Sequence, residues 1–503
     1  MKHISVLRGS SPDCKVSDHE SAAVRERAAG TIRLPSSLPG SELYRFELDG
    51  DCFIFDVPSC SLLKASGIAK EIMIEICDKA DSQSMMRLKK RLSSEQLAEG
   101  LREVDFLVHL GFLQAKENHQ DNLYVDLDFM DSVPVNMLSL GLTGTCNLAC
   151  SYCFEKQGRS PSLLKMSQSV AAAAVDFLFE NAGPAPHLAI RFFGGEPILN
   201  MPIMSFVTSY ATEQARNRKK DITFLLSTNG TLISDEVADF LIEYKVGTCI
   251  SLDGPRHLHD IHRRFKNGRA SFRSTKQGVT RLLARSPSRL QAQAVITRQN
   301  LGHIREMASF FRDMGFSGIH AGFVDSQKES DYSLSDEFLE DFNKHYLKLV
   351  MDCMIEASPC RFNLSGHDTI LRRIYNSERS YYPCPTHAGI NMLHIDPNGD
   401  VFPCYRLTGN EYRLGNLLEG VDRLHGNQVR RHFVNDHVEL NACRECWARY
   451  LCGGRCPAHF RHKANKAFPA KCHLRDRMAL NLRLYARLWY KHRALLDSLY
   501  HKG

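Results

Sequence analysis

The chain has 503 residues, of which 43% are hydrophobic and 24% charged, proportions typical of a globular protein with a substantial core. The formal net charge of +7 is small for this length and requires no nucleic-acid partner. No run approaches the roughly 20 apolar residues of a membrane span, and the polar N-terminus lacks a signal-peptide pattern. We therefore expect a cytoplasmic chain of several domains that binds neither nucleic acid nor membrane.

Residues 1–40 are polar and without periodicity, which predicts a disordered tail. The next segment, 41–117, has two alternating stretches around an Asp-Gly turn, followed by amphipathic stretches. Its predicted strands are 44–48, 52–55 and 61–64, and its predicted helices are 67–79 and 94–113. Three strands followed by helices are typical of a winged-helix-like module.

The region 135–330 follows an acidic linker (118–134) and alternates strand and helix patterns. The predicted strands are 136–142, 187–193, 222–227, 247–252, 290–296 and 317–323, and the predicted helices are 166–181, 202–216, 234–244, 271–285 and 300–314. Six βα units predict an α/β fold whose parallel sheet curls into a partial or complete (β/α)6 barrel. A helical bridge (331–379), a cysteine-rich segment (380–475) and a C-terminal helix (476–503) complete the chain.

The chain contains seventeen cysteines, and in a reducing cytoplasm clustered thiols hold metal more often than they form disulfides. Cys146, Cys150 and Cys153 follow the first barrel strand with the spacing C-x3-C-x2-C. Three thiolates on one loop would leave one iron of a four-iron cluster without a protein ligand, and such an open iron can bind a small molecule. The alternative is a structural zinc site, which needs a fourth ligand, and none is evident nearby in the sequence.

This motif resembles that of the radical S-adenosylmethionine (SAM) superfamily, and the resemblance extends over residues 136–330. Gly-Gly-Glu-Pro, Ser-Thr-Asn-Gly and Ser-Leu-Asp-Gly end successive predicted strands, and Asp-Ile-His-Arg follows them. The resemblance implies a [4Fe–4S] cluster on the three cysteines and a 5′-deoxyadenosyl radical formed by reductive cleavage of SAM. It implies that SAM is bound by Tyr152, Gly194, Gly195, Glu196, Pro197, Ser227, Asn229, Ser251, Asp253 and Arg263.

Within this set, the resemblance assigns the methionyl amine of SAM to the Gly-Gly-Glu-Pro motif and its carboxylate to Arg263. It also implies an external one-electron donor such as flavodoxin or ferredoxin. No residue that acts on the substrate can be named from the sequence.

Seven further cysteines lie between residues 380 and 475, in an order that resembles the SPASM extension of peptide-modifying radical SAM enzymes. This resemblance implies two auxiliary [4Fe–4S] clusters, and hence three clusters in all. It assigns the outer cluster to Cys443, Cys446, Cys452 and Cys472, and the inner cluster to Cys384, Cys404 and Cys456. Either Cys360 supplies the fourth inner ligand, or that cluster keeps an open iron that can bind a substrate thiolate. Two structural zinc sites are the alternative.

The module at 41–117 resembles the recognition element of ribosomal-peptide maturases, which binds the leader of a precursor peptide as an added strand. A structural or dimerising cap and a DNA-binding winged helix are the alternatives. The whole chain resembles maturases that form thioether cross-links, either those acting on cysteine-rich peptides or the maturase of quinohemoprotein amine dehydrogenase. The expected function is therefore the joining of a cysteine sulfur to a carbon within a peptide.

Three rival functions remain open at this point. The same scaffold serves carbon–carbon or carbon–oxygen cross-linking and epimerisation of peptides. It also serves anaerobic sulfatase-maturing enzymes, which oxidise a Cys or Ser to formylglycine. In that family an Asp, proposed as the proton acceptor, follows the second SPASM cysteine, whereas Tyr405 follows Cys404 here. The last rival is a non-catalytic iron–sulfur or zinc scaffold.

Overall fold

The computed structural model describes seventeen stretches of the chain, and the predicted linker at 118–134 lies almost wholly outside them. These stretches are residues 4–9, 42–79, 83–113, 133–153, 164–285, 290–324, 330–357, 360–364, 366–382, 384, 386–421, 426–431, 433, 443, 446–454, 456 and 472–501. Most of the predicted tail, 10–40, also lies outside them. In the described part of the chain, no helix is long and apolar enough to cross a membrane.

The N-terminal unit is an antiparallel sheet with the strand order β1-β4-β3-β2. Its strands are β1 (Ile4–Leu7), β2 (Leu43–Leu48), β3 (Asp51–Asp56) and β4 (Ser61–Ala65). Three helices follow, α1 (Gly67–Lys79), α2 (Ser84–Arg91) and α3 (Ser94–His109). Helix α3 begins where Ser93 and Gln96 form a capping box, each side chain accepting from the backbone N–H of the other residue.

Two elements of this unit were not predicted. Strand β1 lies inside the segment that was expected to be a disordered tail, so that expectation is wrong for Ile4–Leu7. Its four residues are too few for their alternation to stand out in the sequence, and their strand conformation comes from pairing with β4. Helix α2 also escaped prediction, because it has only eight residues.

The predicted parallel sheet is confirmed, and its strands are hydrogen-bonded in chain order. They are β5 (Met137–Thr143), β6 (His187–Gly194), β7 (Asp221–Thr228), β8 (Gly247–Ser251), β9 (Leu290–Ile296) and β10 (Gly318–Phe323). A seventh parallel strand, β11 (Arg361–Leu364), extends the sheet beyond β10, within the segment expected to be a helical bridge. That expectation was incomplete because a four-residue strand has no readable period.

On its other side, β5 pairs with a strand from the cysteine-rich region. This strand, β12 (Met392–Ile395), is parallel to β5, with Met392 beside Met137 and Ile395 beside Leu140. Strands β13 (Asp400–Phe402) and β14 (Gly415–Asn416) continue the sheet in antiparallel order. The cysteine-rich region is therefore joined to the sheet by backbone pairing.

Helices connect the parallel strands and follow them. They are α4 (Gln168–Asn181), α5 (Met201–Asn217), α6 (Asp235–Glu243), α7 (Arg256–His262), α8 (Phe272–Arg285), α9 (Ile304–Asp313), α10 (Asp336–Glu356), α11 (His367–Asn376), α12 (His473–Lys491) and α13 (Arg493–Tyr500). The side chains of Ser167, Ser234 and Ser335 cap α4, α6 and α10 by accepting a backbone N–H. The C-terminal helix expected at 476–503 begins earlier, at His473, and is interrupted at His492.

The parallel sheet has two chemically different faces. Leu138, Leu140 and Leu142 of β5 point to one face and are buried in the main core together with residues of the connecting helices. Ser139 and Gly141 alternate with them and therefore point to the opposite face, which we call the inner face. On β6 the same alternation places Arg191 and Phe193 on the inner face.

A buried ion pair joins the N-terminal unit to the cysteine-rich region. Arg449 donates to the carboxylate of Glu42, and the two side chains are only 2% and 1% exposed. Beside it, the ring of Tyr44 on β2 stacks on Trp447 with 3.7 Å between the ring centroids. These contacts fix the beginning of β2 and one of its faces to the cysteine-rich region.

Replacing Glu42→Gln tests this junction. The change leaves the Arg449 charge buried without its counter-ion, and we expect a loss of about 3–5 kcal/mol in the free energy of unfolding measured with urea. The double variant Glu42→Leu/Arg449→Met removes both charges and should recover most of that loss. A single variant as stable as the wild type would show that the ion pair does not hold the two regions together.

Candidate functional site

The loop from Cys146 to Cys153 follows β5 and is held by the end of α7 and the residues after it. The backbone N–H of Ala149 donates to the Arg264 carbonyl at 2.7 Å, and that of Ser151 donates to the His262 carbonyl at 3.1 Å. Burial raises the pKa of Cys146 to about 12, and the nearby thiols of Cys150 and Cys153 add to the shift. Three crowded thiols of this kind fit a metal cluster, whose positive charge would hold them as thiolates.

The two glycines after β6 allow its backbone to approach the cluster loop. Gly194 has a positive φ of 114°, and a Cβ atom there would lie 2.4 Å from the Thr143 carbonyl oxygen. A Cβ on Gly195 would lie 2.4 Å from the Thr145 carbonyl oxygen. Any larger residue would therefore push the end of β6 away from the loop that carries the cysteines.

The carboxylate of Glu196 ties the ends of β6 and β7 together. It accepts hydrogen bonds from the Thr228 hydroxyl at 2.7 Å and from the backbone N–H groups of Asn229 and Ile198 at 2.8 and 3.2 Å. The side chain is fully buried, and burial raises its pKa to about 7. Pro197 follows at the start of a short 3₁₀ turn. Binding of the SAM amine by this motif stays a prediction.

Asn229 connects the end of β7 to the cysteine loop. Its Nδ2 donates to Asn147 Oδ1 at 2.8 Å and lies 3.8 Å from Cys146 Sγ. Asn147 in turn donates to the Thr231 hydroxyl at 2.8 Å. The other two predicted SAM contacts of this region, Ser227 on β7 and Ser251 at the end of β8, are half-buried at the same end of the sheet.

Asp253, Arg263 and Tyr152 form a buried charged cluster behind the cysteine loop. Arg263 donates to both carboxylate oxygens of Asp253, at 2.9 and 3.2 Å, and Tyr152 donates its hydroxyl to the same carboxylate. Burial alone would raise the pKa of Asp253, but Arg263 and His259 together with these hydrogen bonds hold it below its ordinary value.

In the structure, the carboxylate that pairs with Arg263 is therefore that of Asp253. The Arg263 guanidinium lies 5.4 Å from the Tyr152 ring centroid, so the cluster also orients the tyrosine that precedes Cys153. Pairing of Arg263 with the SAM carboxylate remains a prediction.

His259 packs behind this charged cluster and contacts the backbone of Asp253. Burial lowers its pKa to about 4, so the ring is neutral near neutral pH. Its Nδ1 accepts from the Asp253 backbone N–H at 3.4 Å, and its Nε2 lies 3.0 Å from the Ser271 hydroxyl. Ser271 donates to the Arg263 carbonyl at 2.6 Å, which fixes the end of α7.

The seven C-terminal cysteines lie in two groups of neighbouring thiols, and their role as cluster ligands stays a prediction. Burial raises the pKa of Cys443 to about 12, and the thiols that add to this shift are Cys452, Cys446 and Cys472. Burial likewise raises the pKa of Cys404 to about 12, and its thiol neighbours are Cys456 and Cys384. We call the first group the outer thiols and the second group the inner thiols.

The inner thiols lie at the beginning of β5, whereas the Cys146 loop follows its end. Cys404, Cys384 and Cys456 pack in one apolar cluster with Met137, the first residue of β5. The strand register agrees, since Phe402 pairs with His394, and His394 lies beside Ser139 on β5. The two groups of thiols therefore flank the inner face of the sheet from opposite ends.

Tyr405 extends from the inner thiols onto this inner face. Its ring centroid lies 4.4 Å from that of Phe193, the residue before Gly194, and 6.3 Å from that of His394. Burial raises the pKa of its hydroxyl to about 12, with the Cys404 thiol as the next contributor and the Arg191 charge opposing the shift.

Cys360 does not join the inner thiols. It is 5% exposed and packs in the main hydrophobic core. Burial raises the pKa of its thiol to about 11, and in the described part of the chain no neighbouring thiol contributes to this rise.

Several site residues escaped the sequence analysis. They are Thr143, Asn147, Thr228, Arg191, His259 and His394. Asn147 and Thr228 lie inside motifs that were recognised, so their place within those motifs could have identified them as site residues. Arg191 and His394 come from strands whose inner face only the register reveals.

Comparison with known proteins gives two family matches. The model of the radical SAM superfamily matches residues 140–311, and that of the SPASM iron–sulfur cluster-binding domain matches residues 384–447. A serine-type anaerobic sulfatase-maturating enzyme of Bacteroides thetaiotaomicron is 25% identical over 350 residues, which are 64% of this chain and 83% of that protein.

Two solved structures share the fold. The structure of native anSMEcpe with bound AdoMet and Cp18Cys peptide is 21% identical, with a TM-score of 0.58, and the match covers 73% of this chain and 99% of that one. The structure of Streptococcus suis SuiB bound to precursor peptide SuiA is 16% identical, with a TM-score of 0.50, and the match covers 85% and 97%.

The parallel sheet, the three-cysteine loop at its carboxyl end and the first family match define a radical SAM enzyme. The second match adds a C-terminal SPASM domain, so the chain is a radical SAM/SPASM enzyme that uses SAM and iron–sulfur chemistry. The recognition of both domains from the sequence is thereby confirmed.

Replacing Thr228→Val tests the link between Glu196 and β7. The change removes a buried hydrogen bond to a carboxylate, a bond of about 1.5–3 kcal/mol, and we expect the Kd for SAM to rise about tenfold. Thr223→Val, the same change at an exposed position of β7, should leave the Kd unchanged. Equal affinities in the two variants would show that this bond does not order the SAM site.

Proposed function

We propose that this enzyme installs thioether cross-links in a ribosomally made peptide, joining a cysteine sulfur to a carbon of another residue. The observation that carries the proposal is that the Cys146 loop and the inner thiols lie at opposite ends of the inner face. A peptide lying on that face would have the SAM site at one end and the inner thiols at the other. Its carbon and its sulfur would thus meet different parts of the enzyme.

The cofactor set that we propose is SAM and three [4Fe–4S] clusters, one on Cys146, Cys150 and Cys153 and two on the C-terminal thiols. When bound, the first cluster supplies the electron that cleaves SAM to a 5′-deoxyadenosyl radical. Three inner thiols, with Cys360 buried elsewhere, favour an inner cluster with a free coordination position. A substrate thiolate is a ligand of the kind that such a position accepts.

The chain's own residues orient these parts. Glu196 and Asn229 fix the ends of β6 and β7 against the cysteine loop, and Asp253 with Arg263 fixes Tyr152. Tyr405 and Arg191 lie on the inner face between the two thiol groups. These half-buried side chains would also limit the access of water to a carbon radical formed there.

The partners that we propose are a precursor peptide and an external one-electron donor such as flavodoxin or ferredoxin. The leader of the precursor would bind the N-terminal sheet, leaving its cysteine-bearing part free to reach the inner face. A reducing cytoplasm suits both the clusters and the substrate thiol.

A second candidate is sulfatase maturation, favoured by the similarity to a serine-type anaerobic sulfatase-maturating enzyme. Tyr405 argues against it. At the position where that family has an aspartate, this chain has a phenol whose pKa burial raises to about 12, so it is a poor proton acceptor near neutral pH. Carbon–carbon or carbon–oxygen cross-linking and epimerisation use the same scaffold and are separated by the product.

Co-expression with a short cysteine-bearing peptide encoded beside this gene tests the proposal. We expect anaerobic co-expression with the wild type to remove two hydrogens per cross-link, with a matching loss of alkylatable cysteine. Intact mass and thiol alkylation of the peptide measure both quantities. Cys150→Ala lacks one ligand of the SAM-binding loop and should leave the peptide unmodified.

Each product identifies a different reaction. The same mass loss with every thiol still reactive would overturn the thioether proposal in favour of a carbon–carbon or carbon–oxygen link. Loss of the cysteine as an aldehyde would favour formylglycine formation.

Iron content tests the proposed ligand groups. A chain with three clusters should hold about twelve irons after anaerobic reconstitution, and Cys404→Ala should lose about four of them. Cys360→Ala is the matched control and should retain the full complement, because its thiol packs in the hydrophobic core. A loss of about four irons from Cys360→Ala would make this residue the fourth inner ligand.

A further inference from the structure

The N-terminal sheet binds a short strand from a remote part of its own chain. Residues Ile4 to Leu7 pair antiparallel with β4, with Ile4 opposite Ala65 and Leu7 opposite Leu62. Residues 10–41 separate this strand from the rest of the sheet. Strand β1 is therefore an added edge strand, and β2, β3 and β4 form a continuous three-stranded meander without it.

The contacts of β1 resemble those of a bound peptide. Ile4 and Val6 pack into the core between the sheet and its helices, and Leu7 is fully buried on the opposite face. The Tyr485 hydroxyl donates to the Leu7 carbonyl at 3.1 Å, and the Gly9 N–H donates to the Tyr375 carbonyl at 2.6 Å. Backbone bonds give such a strand affinity, and pockets for its side chains give it specificity.

The second position after the strand, Gly9, accepts only a residue without a side chain. A Cβ atom on Gly9 would lie 1.7 Å from Cε1 of the buried Tyr375 ring. The β4 edge thus selects an extended segment with the pattern apolar-x-apolar-apolar-x-Gly.

The opposite end of the sheet is fixed to the SPASM domain. The Tyr44–Trp447 stack packs one face of β2, and the buried Glu42–Arg449 ion pair lies directly before this strand. In the described part of the chain, the β4 edge is occupied by β1, so freeing it requires only the release of residues 4–9.

We propose that residues 4–9 are an intramolecular competitor, which occupies the β4 edge where a strand-forming segment of the peptide substrate would otherwise bind. The inference rests on the proposed function for the nature of the substrate. The competitor is tethered to the sheet, so it is always available to rebind. The apparent Kd of the enzyme for a peptide is therefore the intrinsic Kd divided by the fraction of time that the edge is free. A substrate that carries the same apolar pattern displaces it.

Fluorescence anisotropy with a labelled peptide of residues 2–12 of this chain tests the proposal. The competing strand is weakened in the full-length holoenzyme by Gly9→Val, whose side chain would overlap the Tyr375 ring. If β1 fills the edge nine-tenths of the time, the variant should bind the probe about tenfold more tightly than the wild type. A chain lacking residues 1–9 should show the same gain.

Gly302→Val is the matched control, because a Cβ atom at Gly302 meets no atom within 4 Å. This variant should bind the probe as weakly as the wild type does. A probe in which the residue equivalent to Leu7 is aspartate should not bind any of the proteins. A single cooperative melting transition and an iron content equal to that of the wild type establish that each variant is folded.

The final arm adds an unlabelled cysteine-bearing precursor peptide, which should displace the probe from Gly9→Val. Equal probe affinity in all folded variants would overturn self-occupancy of the edge. Probe binding that the precursor does not compete for would overturn substrate docking there. Neither reading requires SAM cleavage, so this experiment can fail while the cross-linking assay succeeds, and the reverse.

Discussion

The parallel pairing on both sides of β5 is the constraint on which the rest of the structure depends. On one side β6 carries the Gly-Gly-Glu-Pro motif to the cysteine loop, and on the other side β12 brings in the cysteine-rich region. Because β5 has thiols at both ends, its length of seven residues, about 23 Å at 3.3 Å per residue, sets the scale of the space between them. A one-residue slip of β12 would turn His394 from the inner face to the outer face.

Buried carboxylates convert this sheet into a defined site. Glu196 and Asp253 are both fully buried, and each is satisfied by hydrogen bonds from a neighbouring strand or loop. Asp253 accepts from the Val295 backbone N–H at 2.9 Å as well as from Arg263, so it joins β9 to the segment after α7. Such networks are costly when one member is removed, and they therefore hold the strand ends in a single arrangement.

The sequence was sufficient for the features that have a long period or a specific spacing. The six βα units were placed within one or two residues at most strand ends, because strand and helix patterns alternate regularly between turns. The thiols that the sequence analysis grouped together are neighbours in the structure, where each raises the pKa of another member of its group. Their assignment as cluster ligands stays a prediction. What their bound groups are and how SAM is held stay predictions.

The features that were missed depend on contacts between distant residues. Strands β1, β11 and β12 have four residues each, and they exist because a neighbouring strand accepts their hydrogen bonds. The pairing of Arg263 with Asp253 and the entry of Tyr405 onto the inner face follow from packing across the sheet. No local sequence pattern encodes either contact.

A thioether cross-link requires the 5′-deoxyadenosyl radical to abstract a hydrogen from a carbon of a residue other than the cysteine whose sulfur is joined. The most direct measurement uses two deuterated forms of a substrate peptide, one labelled at the cysteine β-carbon and one labelled at all other residues. Mass spectrometry of the 5′-deoxyadenosine then locates the abstracted hydrogen. Thioether formation predicts deuterium only from the second form, together with loss of the thiol. Deuterium from the cysteine β-carbon would contradict thioether formation and support oxidation of the cysteine itself.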